Sequence, residues 1–185
     1  MERDVKDLNI LNRFCEEFIA IVEKHCKYII VSGFVAIASG RTRGTEDIDL
    51  ITEKLSFEKF DKLFLDLVNN GFECVQTNLS KEAYDYLIDN TSIRFTWKNK
   101  FLPEMKLKFA KDILDEYQLK NRIKLKLTGL DVWFSSINTN IAFKEELLKS
   151  PKDLEDAKHL RIVFAEMVNE NEINIIKEMI KRLRL

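Results

Sequence analysis

Asp47 and Asp49 flank a single isoleucine in a run that continues through Leu50 and Ile51. If that run is a strand, alternation sends both carboxylates out of the same face. Two hard oxygen ligands side by side suit Mg2+, which takes one or two protein carboxylates and fills its shell with phosphate oxygens. Upstream, Ser32-Gly33 separates Tyr28–Val31 from Phe34–Ala38, and the two apolar runs together are too long for one strand. Strand, tight turn and short helix is the simplest parse, with Gly40 ending the helix. Free N–H groups at such a helix start can hold phosphate oxygens, and glycine lets the backbone come close. Phosphate cradle and metal ligands therefore fall together, the layout that positions a nucleoside triphosphate for in-line attack. A lone D-x-D pair among 31 acidic residues says little; its conjunction with this turn, with Arg43 and Thr45 between them, says more.

The surrounding pattern must supply the scaffold. Residues 4–25 carry Leu8, Leu11, Phe14, Phe18, Ile21 and Val22 at helical spacing. A second helix over 57–68 has Ser56 as its cap, a stripe of Phe57, Phe60, Leu63, Phe64, Leu67 and Val68, and Asn70-Gly71 as its stop. Core packing is the reading for that aromatic stripe. Strands are expected over 72–77 and 92–97, with a helix between them from Ser80 to Ile88. Met105, Leu107 and Phe109 alternate, as do Ile123, Leu125 and Leu127, around a helical stretch near 112–120. After Gly129 another apolar strand covers 130–135, and from Asn140 the pattern is helical to the end. Ser150-Pro151 opens one of these helices, and the last runs over about 172–183 into a basic KRLRL.

The chain's 185 residues are 45% hydrophobic, enough for one domain with a real core, and 13 Phe supply much of its bulk. Thirty basic against 31 acidic residues leave a net charge of −1, with no general pull towards nucleic acid or membrane. No stretch approaches a membrane span, and the charged N-terminus lacks the apolar core of a secretory signal. Cys15, Cys26 and Cys74 show no paired spacing and read as free thiols in a cytoplasmic protein. His25 and His159 fit no metal-ligand spacing.

Residues 31–51, VSGFVAIASGRTRGTEDIDLI, resemble the signature of the polymerase-β-like nucleotidyltransferase superfamily. They are similar in particular to small prokaryotic AbiEii-like and uncharacterised nucleotidyltransferases, whose motif runs Gly-Gly, aromatic, Ala, then Gly-x-x-Arg-x-Thr-x-Asp-Ile-Asp. Gly33, Phe34, Gly40, Arg43, Thr45, Asp47, Ile48 and Asp49 fall in register, while Ser32 stands where the first glycine is usual. The resemblance implies an α/β (α+β) fold: a mixed sheet flanked by helices over residues 1–138, then a C-terminal helical segment over 139–185 packed on that core. It implies a third carboxylate on a later strand, for which Asp131 in GLDVWF is the best candidate; the other reading is a solvent-facing residue at a strand start. Lys144 and the KDLEDAKHL helix resemble a further pattern of the group, so Lys144 would contact a triphosphate. Asp153 and Asp156 fit that pattern too, although Asp153 equally suits a first helical turn.

What the resemblance implies for function is Mg2+-dependent transfer of a nucleotidyl group from an NTP to an acceptor hydroxyl. Asp47, Asp49 and Asp131 would hold two ions, and Ser32, Gly33, Arg43, Thr45 and Lys144 would hold the nucleotide. The acceptor stays open between tRNA, a protein hydroxyl and a small molecule such as an aminoglycoside, and a toxin–antitoxin role is one setting. Two other classes stand beside this one: a nucleotide-binding or antitoxin-like protein that keeps the fold with weak catalysis, and an interaction protein that docks a partner through its C-terminal helices. The basic end, Lys181, Arg182 and Arg184, reads either as complementing its own helix terminus or as touching RNA.

Overall fold

The computed structural model describes the backbone of residues 5–185 and side chains from residue 10 onward. The expected helix start at residue 4 and the Leu8 side chain lie outside the described residues. Helix α1 (Val5–Val22) leads into strand β1 (Tyr28–Val31), then α2 (Gly33–Ala38) and β2 (Asp47–Thr52). There follow α3 (Phe57–Asn69), β3 (Phe72–Cys74), α4 (Ser80–Ile88), β4 (Ile93–Trp97), β5 (Glu104–Phe109) and α5 (Ile113–Lys120). Helices α6 (Ile137–Phe143), α7 (Pro151–Val163) and α8 (Glu170–Arg184) complete the chain, with one turn of π-helix at Lys144–Leu148 continuing α6.

The strands form one mixed sheet in the order β1-β2-β5-β4-β3. Only β2 and β5 run parallel; the other pairs are antiparallel. Side-chain alternation gives this sheet two unlike faces. Tyr28, Ile30, Ile48, Leu50, Met105, Leu107, Ile93 and Phe95 join the main core with Phe14 and Phe18 of α1 and Phe60, Leu63, Phe64 and Leu67 of α3. Several rings there meet edge-on, as in Phe18 against Phe72 at 5.1 Å and 87°. On the other face Ile29 and Ile51 pack with Leu119 of α5, with Val31 and Ala110 partly buried against them, and Asp47, Asp49, Lys106 and Lys108 share that face.

Local signals fix most element ends. Ser56 accepts from the Lys59 N–H, Asp112 from Leu114 and Asp115, Ser150 from Asp153, and Asn169 from Asn171 and Glu172. Gly71 closes α3 at φ 89°. Three expectations need correction. Val68 is exposed, being at the edge of the stripe. Ser80 lies inside its helix, with Leu79 at the cap, and gives its hydroxyl to Asp61. Segments 123–127 and 130–135 do not form strands: Phe134 makes single bridges to Ile30 and Ile123, and Lys126–Thr128 is a short 3-10 turn. Among the described residues no helix is long and apolar enough to cross a membrane.

Candidate functional site

Strand β1 ends at Ser32, which takes φ 68° and ψ −140° before α2 begins. A non-glycine residue there carries backbone strain of about 1–3 kcal/mol, and such strain clusters at ligand sites. This is the position where the resembling motif has glycine, and the conformation is the reason. At Gly33 the demand is steric: an added Cβ would lie 2.4 Å from Nη2 of Arg43.

Asp47 and Asp49 project from the polar face of β2, as alternation requires. Val31 pairs with Asp49, so the end of β1 brings Ser32 beside it, where the serine hydroxyl slightly favours the ionised carboxyl. On the other side β5 sets Glu104 against Asp47 and Lys106 against Asp49. The Lys106 ammonium forms an ion pair with Asp47, whose other oxygen accepts from the Thr45 hydroxyl at 3.0 Å. Burial alone would raise Asp47, but Lys106 and Thr45 outweigh it and hold the carboxyl below its ordinary value. Asp49 moves the other way: burial pushes it up, the charge of Asp47 adds to that, and Lys106 and Lys108 only partly offset it. Asp49 is thus a carboxylate short of positive charge.

A cavity of about 330 Å³ opens on this face between the sheet, α5, α6 and the end of α8. Ser32, Asp49, Lys106, Lys108 and Lys144 line it, together with Gln118, Asn140, Phe143 and Arg184. Lys144 reaches it from the π turn, a local distortion often found at functional sites. Its side chain is 1% exposed, and Nζ bonds Asp156 at 3.0 Å with Asp153 at 3.5 Å. Asp156 is the hub of a buried network: Arg43 grips it through Nε at 3.0 Å and Nη2 at 2.8 Å, and Arg41 adds a contact at 3.3 Å.

The expected residues therefore divide. Ser32, Asp49 and Lys144 meet at the cavity, Asp47 adjoins it through Lys106, and Thr45 orients Asp47. Gly33 and Arg43 touch each other at one side and lead to Asp156. Asp131 is not brought to the pair. Its side chain is 89% exposed and pairs with Lys124. The Ile30 N–H donates to the Trp133 carbonyl and the Ile30 carbonyl accepts from the Ser135 N–H, so this segment runs parallel to β1 and leaves Asp131 near the Tyr28 end, away from Ser32. Among the described residues no three acidic, His or Cys side chains gather so as to hold a metal ion, and the expected three-carboxylate centre is not assembled. Glu104 lies beside Asp47 but faces Arg94 at 3.6 Å.

Lys106, Lys108, Arg184, Gln118 and Asn140 were not anticipated. Lys106 and Lys108 carried a readable signal, since they alternate with Met105, Leu107 and Phe109 and must face away from the core. Arg184 does not cap its own helix: it pairs with Asp112 and Asp115 at the start of α5, at 2.6 and 3.0 Å.

A five-stranded mixed sheet flanked by helices, with the D-x-D strand beside the β1–α2 turn, defines the nucleotidyltransferase-like fold. No protein-family model matches the chain, and no curated protein matches it. Among solved structures it is similar to an antigenic nucleotidyltransferase-like protein from Paracoccidioides brasiliensis, with TM-score 0.57 and 16% identity over 99% of this chain and 91% of that one. It is also similar to the antibiotic-resistance factor ANT(2'')-Ia in solution, with TM-score 0.55 and 13% identity over 94% and 92% of the two chains. A crystal structure of ANT(2'')-Ia with adenylyl-2''-tobramycin gives TM-score 0.52 and 14% identity over 96% and 98%. At these identities the likeness is one of fold.

Proposed function

We propose that the chain binds a nucleoside triphosphate in the cavity beside Asp49 and transfers its nucleotidyl group to an acceptor hydroxyl. The observation that carries this reading is the meeting at one opening of Asp49, with Asp47 beside it behind Lys106, a strained strand-to-helix turn and three lysines. Asp49 and Asp47 suit one divalent cation together with phosphate oxygens, since Asp49 lacks a full counter-charge and no third acid joins them among the described residues. Such an ion, when bound, would neutralise phosphate charge and orient the triphosphate.

The chain's own groups have separable tasks. Lys144, Lys106 and Lys108 attract the polyphosphate. Ser32 favours the ionised form of Asp49, Thr45 fixes the rotamer of Asp47, and the Arg43–Asp156 pair keeps the loop after α2 in position. The acceptor oxygen forms a bond to the α-phosphorus as the bond to the bridging oxygen breaks. Diphosphate leaves, and the hydroxyl proton passes to solvent at the open mouth. ANT(2'')-Ia, crystallised with an adenylylated aminoglycoside, supports a hydroxyl as the acceptor type. The Lys144 and Lys-Asp-x-x-Asp pattern supports the AbiEii-like group and, through it, a toxin–antitoxin setting.

A second reading, nucleotide binding without transfer, is favoured by one observation: Lys106 already occupies an oxygen of Asp47. Incubation with each α-labelled NTP and Mg2+, against pools of tRNA, protein and aminoglycoside, separates the two. Label transfer that disappears in Asp49→Asn supports the enzyme; thermal stabilisation by NTP with no transfer to any pool supports the binder. No stabilisation and no transfer refutes both.

A further inference from the structure

The strand that flanks Asp47 and Asp49 on the side away from β1 is β5, and on the shared face it presents Glu104, turned to Arg94, and then two lysines. Lys106 is paired in register with Asp49, and Lys108 with Ile51. In parallel strands paired this way, residues 47, 49, 104, 106 and 108 all face the same side. The Lys106 ammonium sits against Asp47 and feels Asp49 and Glu104 as well. Lys108 lines the cavity, and among the described residues no carboxylate is ion-paired to it. On β4 the same face adds Arg94, which engages Glu104. Glu104 on this face is thus met by Arg94 and Asp47 by Lys106, while Asp49 is left with the nearby charges of Lys106 and Lys108.

We propose that Lys106 and Lys108 supply, as fixed ammonium charges, the positive charge that a second divalent ion would otherwise bring to a triphosphate here, so that the site takes a single ion at Asp47 and Asp49. This rests on the nucleotide reading given above. Once a first ion is held by Asp47 and Asp49, a second dication on this face finds only Glu104, already facing Arg94, and meets the ammonium groups of Lys106 and Lys108. The phosphate chain itself gains from them, because lysine is a compact point charge suited to polyphosphate. Dependence on metal is correspondingly shallow: removing the ion costs the site one cation among several.

The test counts ions. Mn2+ binding is measured by electron paramagnetic resonance and by calorimetry, with the intact chain saturated by α,β-methylene analogues of the four nucleoside triphosphates. A single Mn2+ per chain is expected, and analogue affinity should fall less than about tenfold when EDTA replaces the metal. In Lys106→Gln/Lys108→Gln the metal-free affinity should fall about tenfold or more, each lysine being a charged hydrogen-bond donor to phosphate. Lys106→Asp should gain a second Mn2+, which a merely structural lysine would not produce. Both lysines are partly exposed, and circular dichroism confirms that each variant compared is folded before its ions are counted. Two Mn2+ on the unaltered chain overturns the proposal alone, and a return to one in Glu104→Gln would then make Glu104 the missing ligand. Failure of every analogue to bind overturns it together with the nucleotide reading beneath it.

Discussion

Asp156→Asn is the perturbation whose effect follows most directly from the geometry. The carboxylate is fully buried and takes hydrogen bonds from Arg43 at 2.8 and 3.0 Å, Lys144 at 3.0 Å and Arg41 at 3.3 Å. Burial raises its pKa, but Arg43 and Lys144 more than compensate and hold it below the ordinary carboxylate value. Asparagine removes the charge and turns one acceptor oxygen into a donor facing other donors. Lys144 is then left with Asp153 alone, at 3.5 Å, in a 1% exposed site. Breaking one partner of a buried pair costs about 3–5 kcal/mol. The arginines keep some solvent contact, so the lower end, about 3 kcal/mol, is expected. In a chain of this size that lowers the thermal midpoint by roughly 6–12 °C, at about 2–4 °C per kcal/mol. Circular dichroism melts and urea titrations at pH 7 measure it. Asp131→Asn, at an exposed ion pair, is the control and should not move the midpoint measurably. The sign with pH is fixed as well. A depressed folded pKa stabilises above the unfolded value near 4, and this is lost as pH falls, so the gap between wild type and variant must narrow on acidification. A loss below about 1 kcal/mol, or a gap that widens in acid, would refute the assignment of Asp156 as the charge holding Lys144 and Arg43.

Other changes bear on the turn and the pair. Ser32→Gly relieves a backbone strain of about 1–3 kcal/mol at φ 68°, set against glycine's extra chain entropy of roughly 0.5–1, so urea midpoints should rise by about 1 kcal/mol. Gly33→Ala drives a Cβ into a guanidinium pinned by Asp156, and a loss of about 1–3 kcal/mol is expected, smaller in an Arg43→Ala background. Asp49→Asn should stabilise the free protein at neutral pH while abolishing label transfer. Because the folded pKa of Asp49 is raised, its ionisation destabilises the fold progressively from the unfolded value near 4 upward, so the gain in urea midpoint must grow from pH 4 to pH 7.

The parts of the site readable in sequence are those set by local periodicity. Asp47 and Asp49 share a face because a strand repeats every two residues, and Ser150-Pro151 opens α7 because capping is a matter of neighbours. Asp131 shows where locality fails. Its segment alternates like a strand, but Phe134 makes only single bridges, and whether residue 131 reaches the Ser32 end depends on its direction along β1. Short-range pattern holds no such information. The same limit hid Lys106: the alternation announced a polar face, yet the parallel pairing of β5 with β2 joins strands separated by two helices and two other strands. Arg184 likewise found its partner 72 residues away in Asp112.

The signature residues also explain one another before any ligand is invoked. Thr45 is spent on Asp47, with its hydroxyl on both the carboxylate and the backbone carbonyl at 3.0 Å. Arg43 lies across Gly33 and closes on Asp156, so glycine is required at 33 to admit the guanidinium as much as to admit phosphate. Lys144 arrives from the far side of the same carboxylate, which ties the loop after α2 to α6 and α7 through one buried charge. What remains facing the cavity from the motif is Ser32 and Asp49, with Asp47 behind Lys106. A motif whose arginine, threonine and second glycine are consumed internally leaves charge supply to other elements. Here β5 provides it, and for that reason Lys106 and Lys108, more than the glycine turn, should govern how tightly a polyphosphate is held.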